Sequence, residues 1–236
     1  MKILSISNSF GVNLQTYASQ IAKANGYFLD IYVLYIGGCT LEKHVENLKD
    51  NLPAYDLYHN GKCERNNVTI SEMIKSQEWD YIVTQQVSYL GTQIETFYPF
   101  ITTILQYLKN NSQYKFLGLQ ETWEYSSLFK KNDGNFFAKE ESLEMYVKLK
   151  ETYEKVAENE CIFLINSGEI IHKANEFFNK EFQCNDGFHL SNEGCYLIGL
   201  NLFKKLFKAK IKNAYVTNDI NISDIEKYID FINNLE

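Results

Sequence analysis

The stretch Ile3-Leu4-Ser5-Ile6-Ser7-Asn8-Ser9-Phe10-Gly11 changes character in its middle. Residues 3–6 form a short apolar run of the length of a buried strand, whereas Ser7, Asn8, Ser9 and Gly11 are small or turn-forming. Apolar residues return at helical spacing between Leu14 and Ala24, so a helix is expected to begin near Asn13. Strand, polar loop and helix in that order open a βα unit. The same alternation runs through the 236 residues: further strands are expected at 28–35, 81–84, 115–119 and 161–165. Between them, Ile94, Phe97, Tyr98, Ile101, Ile104, Leu105 and Leu108 follow i, i+3, i+4, i+7 spacing and predict a helix over 92–110. Weaker helical patterns cover 41–48, 142–157, 170–178, 193–207 and 223–234. The expectation is a three-layer α/β/α sandwich around a mainly parallel five-stranded sheet.

Residues 55–69 break the alternation. Asn60-Gly61 suits a type I′ turn, in which both central residues take positive φ, so a small β-hairpin insertion is expected there, with a short helix starting at Ser71-Glu72. No repeat, low-complexity tract or linker interrupts residues 1–236, which read as a single domain. Hydrophobic residues make up 45% of the chain, with 17 Tyr and 16 Phe, enough to fill one core.

Charge and cysteines exclude several classes. A net charge of -7 and a pI near 5.3 argue against a nucleic-acid surface, and the basic run Lys204, Lys205, Lys208, Lys210 and Lys212 has the spacing of a solvated helix face. The five cysteines are irregularly spaced without a CxxC pair, and neither they nor His44, His59 and His172 have metal-ligand spacing, so no metal and no cofactor is expected. The N-terminus begins a strand at once and no run approaches the ~18 apolar residues of a membrane span, which points to a cytoplasmic protein without a membrane partner.

Ser9 lies where a parallel strand meets a helix N-terminus, a crevice in which α/β sheets bind ligands and backbone N–H groups can hold an anion. By position alone, Ser and Asn there are ordinary cap and turn residues. The partner that changes this reading is Asn185-Asp186-Gly187-Phe188-His189-Leu190-Ser191. A serine hydroxyl is a weak nucleophile at neutral pH; an imidazole must take its proton and a carboxylate must orient the imidazole. Asp186 and His189, three apart on a turn, can supply both.

Ser7-Asn8-Ser9-Phe10, Ile36-Gly37-Gly38-Cys39-Thr40, Gln85-Gln86-Val87-Ser88 and Asp186-Gly187-Phe188-His189 together resemble the sequence blocks of the SGNH or GDSL hydrolase superfamily, over nearly the whole chain. The resemblance implies Ser9 as nucleophile, His189 as general base and Asp186 as its orienter. It also implies an oxyanion hole from the N–H groups of Ser9 and Gly38, with Gly37 next in line. The third block departs from the family's Gly-x-Asn-Asp. No asparagine is available, and Gln86 is the candidate to offer its amide in place of one, a donor that elsewhere is worth ~3 kcal/mol.

Trp123, after the fourth strand, could be an aromatic platform for substrate or could pack in the core. Glu121 and Glu124 read as solvated residues rather than a glycosidase pair, and Cys39 as a small buried hydrophobe. The expected activity is hydrolysis of an O-acyl ester, acetyl foremost, on a carbohydrate or other small metabolite. The rivals are a flavodoxin-like protein gripping a phosphate or nucleotide with residues 7–11, and an SGNH-like module that binds glycans without turnover.

Overall fold

A computed structural model describes residues 1–235. Its strands are β1 (Lys2–Ser7), β2 (Asp30–Tyr35), β3 (Tyr55–His59), β4 (Lys62–Val68), β5 (Trp79–Thr84), β6 (Tyr114–Gln120) and β7 (Phe163–Ile165), joined in one mixed sheet of order β4-β3-β2-β1-β5-β6-β7. Strand β1 sits in the middle because every residue from Ile3 to Ser7 is buried, leaving it fit for neighbours on both edges and helices on both faces. The five strands β2, β1, β5, β6 and β7 are parallel, as the alternating pattern predicts.

The sheet has seven strands rather than five, because the hairpin is no appendage. Asn60 and Gly61 take φ of 48° and 89°, as the turn requires, and β3 pairs antiparallel with β2 from Tyr32↔His59 to Tyr35↔Asp56. Strand β4 then forms the outer edge with every residue from Lys62 to Asn67 exposed, a polar edge that discourages further strand addition.

The helices are α1 (Ser9–Gln15), α2 (Ala18–Ala24), α3 (Leu41–Lys49), α4 (Ile70–Lys75), α5 (Phe100–Asn111), α6 (Lys139–Glu160), α7 (Ser167–Phe178), α8 (Asn192–Phe207) and α9 (Ile222–Asn234). Side chains alternate across the strands: Ile3, Val33 and Val83 join a core with α1, α2, α7, α8 and α9, while Leu4, Leu34 and Ile82 face α3 to α6. This is the three-layer sandwich. Among the described residues no helix is long and apolar enough to cross a membrane.

Two helical expectations shift. The segment expected as one helix over 92–110 is a single 3₁₀ turn at Ile94–Thr96 followed by α5 from Phe100, with Pro99 at its N-cap. Proline lacks an N–H and disfavours helical backbone in the residue before it, so the apolar periodicity runs on while the helix restarts. The first helix likewise begins at Ser9 rather than near Asn13, for a reason that matters to the site.

Candidate active site

Strands β1 and β5 are neighbours, and the connection leaving β1 runs to α1 on one face while that leaving β5 runs to α5 on the other, which opens a crevice at their carboxyl edge. Ser9 stands there as the first residue of α1. Asn8 caps the helix: its Oδ1 accepts the Phe10 N–H at 3.1 Å, while its Nδ2 donates to the Cys39 carbonyl at 3.1 Å. One buried side chain therefore starts the helix at Ser9 and ties the loop after β1 to the loop carrying Gly37 and Gly38. Gly38 has φ of +61°, exposed, with open space where a Cβ would point. Among the described residues, no acceptor takes the backbone N–H of Ser9, Gly37 or Gly38.

Asp186 and His189 reach the same edge on the loop between α7 and α8. His189 Nε2 lies 2.8 Å from Ser9 Oγ, and His189 Nδ1 lies 2.7 Å from Asp186 Oδ2. The other Asp186 oxygen accepts the N–H groups of Phe188 and His189, each at 3.0 Å, which winds the loop so that the ring returns over its own carboxylate. Burial works against ionisation of Asp186, yet the hydrogen bonds from Phe188 and from the His189 ring and backbone outweigh it and hold the carboxyl below its ordinary range. The geometry can pass a proton from a hydroxyl to an imidazole held in one tautomer by a carboxylate.

Gln86 does not join this group. Its Nε2 donates to the Thr96 carbonyl at 2.8 Å and approaches Thr96 Oγ1 at 3.3 Å, while its Oε1 accepts the N–H groups of Leu41 at 3.1 Å and Val87 at 2.9 Å. The amide expected to face an oxyanion is thus spent stitching the loop after β5 to α3 and the 3₁₀ turn. Its neighbour Gln85 donates to Asn8 Oδ1, so it is Gln85 that touches the loop carrying Ser9.

Trp123 is no platform: it is fully buried, stacks on Phe10 with ring centroids 4.1 Å apart, and donates its Nε1–H to the Phe188 carbonyl at 2.7 Å. It braces the residue next to His189 from behind. Gly187, with φ of +80°, lets the same loop lie against Phe129, whose backbone nitrogen would sit 2.3 Å from any Cβ at that position. Neither Trp123's bracing nor Phe129's contact leaves a local pattern in the sequence; Asn8 does, as a cap residue before a helix.

Glu121 and Glu124 are buried rather than solvated. Glu121 accepts the Glu169 N–H at 2.9 Å, and burial pushes its carboxyl up to about 8; Glu124 meets His172 and Asn175, each at 3.2 Å. Burial likewise pushes the Cys39 thiol up to about 12, the state of a packed hydrophobe.

The profile of a family described as a domain of unknown function, DUF4886, matches residues 2–227. The chain belongs to the DUF4886 family. A crystal structure of a DUF4886 family protein from Bacteroides uniformis is similar to it at 26% identity, covering 99% of this chain and 93% of that one, with a TM-score of 0.88. Below 25% identity the fold recurs in the lipase/acylhydrolase of Enterococcus faecalis (14% identity, 90% and 99% of the two chains, TM-score 0.57). It recurs too in a carbohydrate acetylesterase family member from Sinorhizobium meliloti (15% identity, 88% and 97%, TM-score 0.52). This DUF4886 chain therefore has the fold of the SGNH/GDSL hydrolases. None of the curated proteins matches it.

Proposed function

We propose that the protein is a serine hydrolase that cleaves an O-acyl ester, acetyl foremost, on a carbohydrate or other small molecule. The observation that carries the reading is the continuous contact from Ser9 Oγ to His189 Nε2 at 2.8 Å and from His189 Nδ1 to Asp186 Oδ2 at 2.7 Å. Ser9 Oγ attacks the ester carbon as its proton passes to His189 Nε2, giving a tetrahedral oxyanion. The alkoxy C–O bond then breaks, and the departing alcohol takes the proton from His189. Water, deprotonated in turn by His189, attacks the acyl-enzyme, releases the acid and restores Ser9. Asp186, held as a carboxylate by its hydrogen bonds, stabilises the transient imidazolium. The free N–H groups of Ser9 and Gly38 are the donors assigned to the oxyanion; Gln86 is not among them.

The commitment of Gln86 favours one alternative, a module of this fold that binds without turnover. Labelling separates the two. A fluorophosphonate should modify Ser9 in the wild type and fail in Ser9→Ala and His189→Ala, with p-nitrophenyl acetate hydrolysis lost in parallel. Undiminished hydrolysis in both variants, with no label on Ser9, would sink the triad of Ser9, His189 and Asp186, whereas a wild type with neither label nor hydrolysis would favour the module that binds without turnover.

A further inference from the structure

A cavity of about 340 Å³ opens at the carboxyl edge of the sheet, beside the loops that follow β5 and β6. Its walls are Tyr125, Phe129 and Phe137, with Met145 from α6. Ser88, on its margin, follows β5, the strand paired with β1, and Tyr125 follows β6, one strand further. The cavity thus lies on the side of Ser9 away from β2 and the Gly38 loop.

It is also joined to His189 through aromatic contacts. The Phe188 ring lies 4.1 Å from the His189 ring, centroid to centroid, and 6.0 and 6.2 Å from those of Tyr125 and Phe129. Tyr125, Phe129 and Phe137 pack on one another with centroids 4.4 to 6.1 Å apart. The leaving alcohol of an ester must stand beside His189 to receive its proton, whereas the carbonyl oxygen turns toward the donors assigned at Ser9 and Gly38. The alcohol thus lies on the His189 side, the side that the Phe188 ring links to this cavity.

Most polar groups around it are already paired, the marginal hydroxyls of Tyr89 and Thr92 being the exceptions among the described residues. Ser88 Oγ meets Tyr125 OH at 2.9 Å, Glu144 pairs with Lys148 at 2.5 Å, and Glu141 holds Lys131 and the Ala138 N–H. A hydroxylated sugar ring would find only those two marginal hydroxyls and would otherwise have to break these pairs or leave its own hydroxyls without partners. A flat apolar ring loses nothing by entry and gains aromatic contact. Resting on the ester-hydrolase reading, we infer that the preferred substrate is an ester whose alcohol carries an apolar, aromatic ring, seated against Tyr125, Phe129 and Phe137.

The test compares 2-naphthylmethyl acetate, ethyl acetate and 6-O-acetylglucose, which share the acetyl group, on wild type, Phe137→Ala, which removes a wall, and Thr92→Trp, which fills the cavity from its margin. Fluorophosphonate labelling of Ser9 reports an intact site in each variant. Wild type should favour the naphthylmethyl ester. In both variants the ratio of its kcat/KM to that of ethyl acetate should fall about tenfold, mainly through KM. A ratio unchanged in both variants, or a wild-type preference for the sugar acetate, would overturn the inference while leaving the hydrolase standing. Absence of both label and hydrolysis in wild type would bring down the hydrolase reading and this inference with it.

Discussion

The loops after β1 and β5 leave neighbouring strands at the same edge, yet they treat their polar groups in opposite ways. After β1, the buried Asn8 is hydrogen-bonded through both ends of its amide, while Ser9 presents its hydroxyl to His189 and its N–H meets no acceptor among the described residues. After β5, Gln86 is itself the saturated group, bonded through both ends of its amide to Thr96, Leu41 and Val87. A polar residue at a strand's carboxyl edge is therefore left free or made structural according to whether a neighbour has taken over the local hydrogen bonding. Residue type alone does not decide it.

The contrast breaks most sharply at Ser9. Ser9→Ala should lower ester hydrolysis at least about a thousandfold while moving the unfolding free energy by less than about 0.5 kcal/mol. Steady-state kinetics and urea denaturation on the same preparations check both halves. Gln86→Ala should do the reverse in kind, costing about 2–3 kcal/mol of stability because the N–H groups of Leu41 and Val87 lose their buried acceptor. A loss of kcat with unchanged stability in that variant would reinstate Gln86 as an oxyanion donor.

Asn8→Ala joins the two behaviours. It removes a helix cap and the tie to Cys39, so about 1–2 kcal/mol of stability should go together with a fall in kcat as the Ser9 and Gly38 loops part. Stability loss with full activity would show that the tie does not position Ser9.

Glu121 moves stability with pH rather than through a contact with the site. Its folded carboxyl titrates near 8 against an ordinary 4.5, so the native state holds the proton more tightly. Its contribution to stability is complete below about pH 4.5 and is lost as pH rises toward 8, at up to about 1.4 kcal/mol per pH unit. Glu121→Gln, which keeps an acceptor for the Glu169 N–H, should flatten that slope in denaturant midpoints measured across the range.

Much of this protein is legible locally. Short apolar runs of strand length announce the five parallel strands, Asn60-Gly61 announces its hairpin, and the Ser7–Gly11 loop with Asp186 and His189 marks the candidate site, because turn chemistry and apolar periodicity act over a few residues. What periodicity cannot register is a partner distant in sequence. That is why Trp123 reads equally as platform or core until the Phe188 carbonyl is seen at its indole N–H, and why Glu121 and Glu124 read as solvated until α7 covers them.

By itself, then, the sequence determined the layers, the hairpin turn and the chemistry available at Ser9, Asp186 and His189, since each depends on backbone preferences or side-chain identity within a short window. Only the tertiary structure decided that the hairpin extends the sheet, that Ser9 begins its helix, and that the Gln86 amide is consumed. Each of those outcomes is a competition for a limited set of hydrogen-bond partners, settled between segments that meet only when the chain is folded.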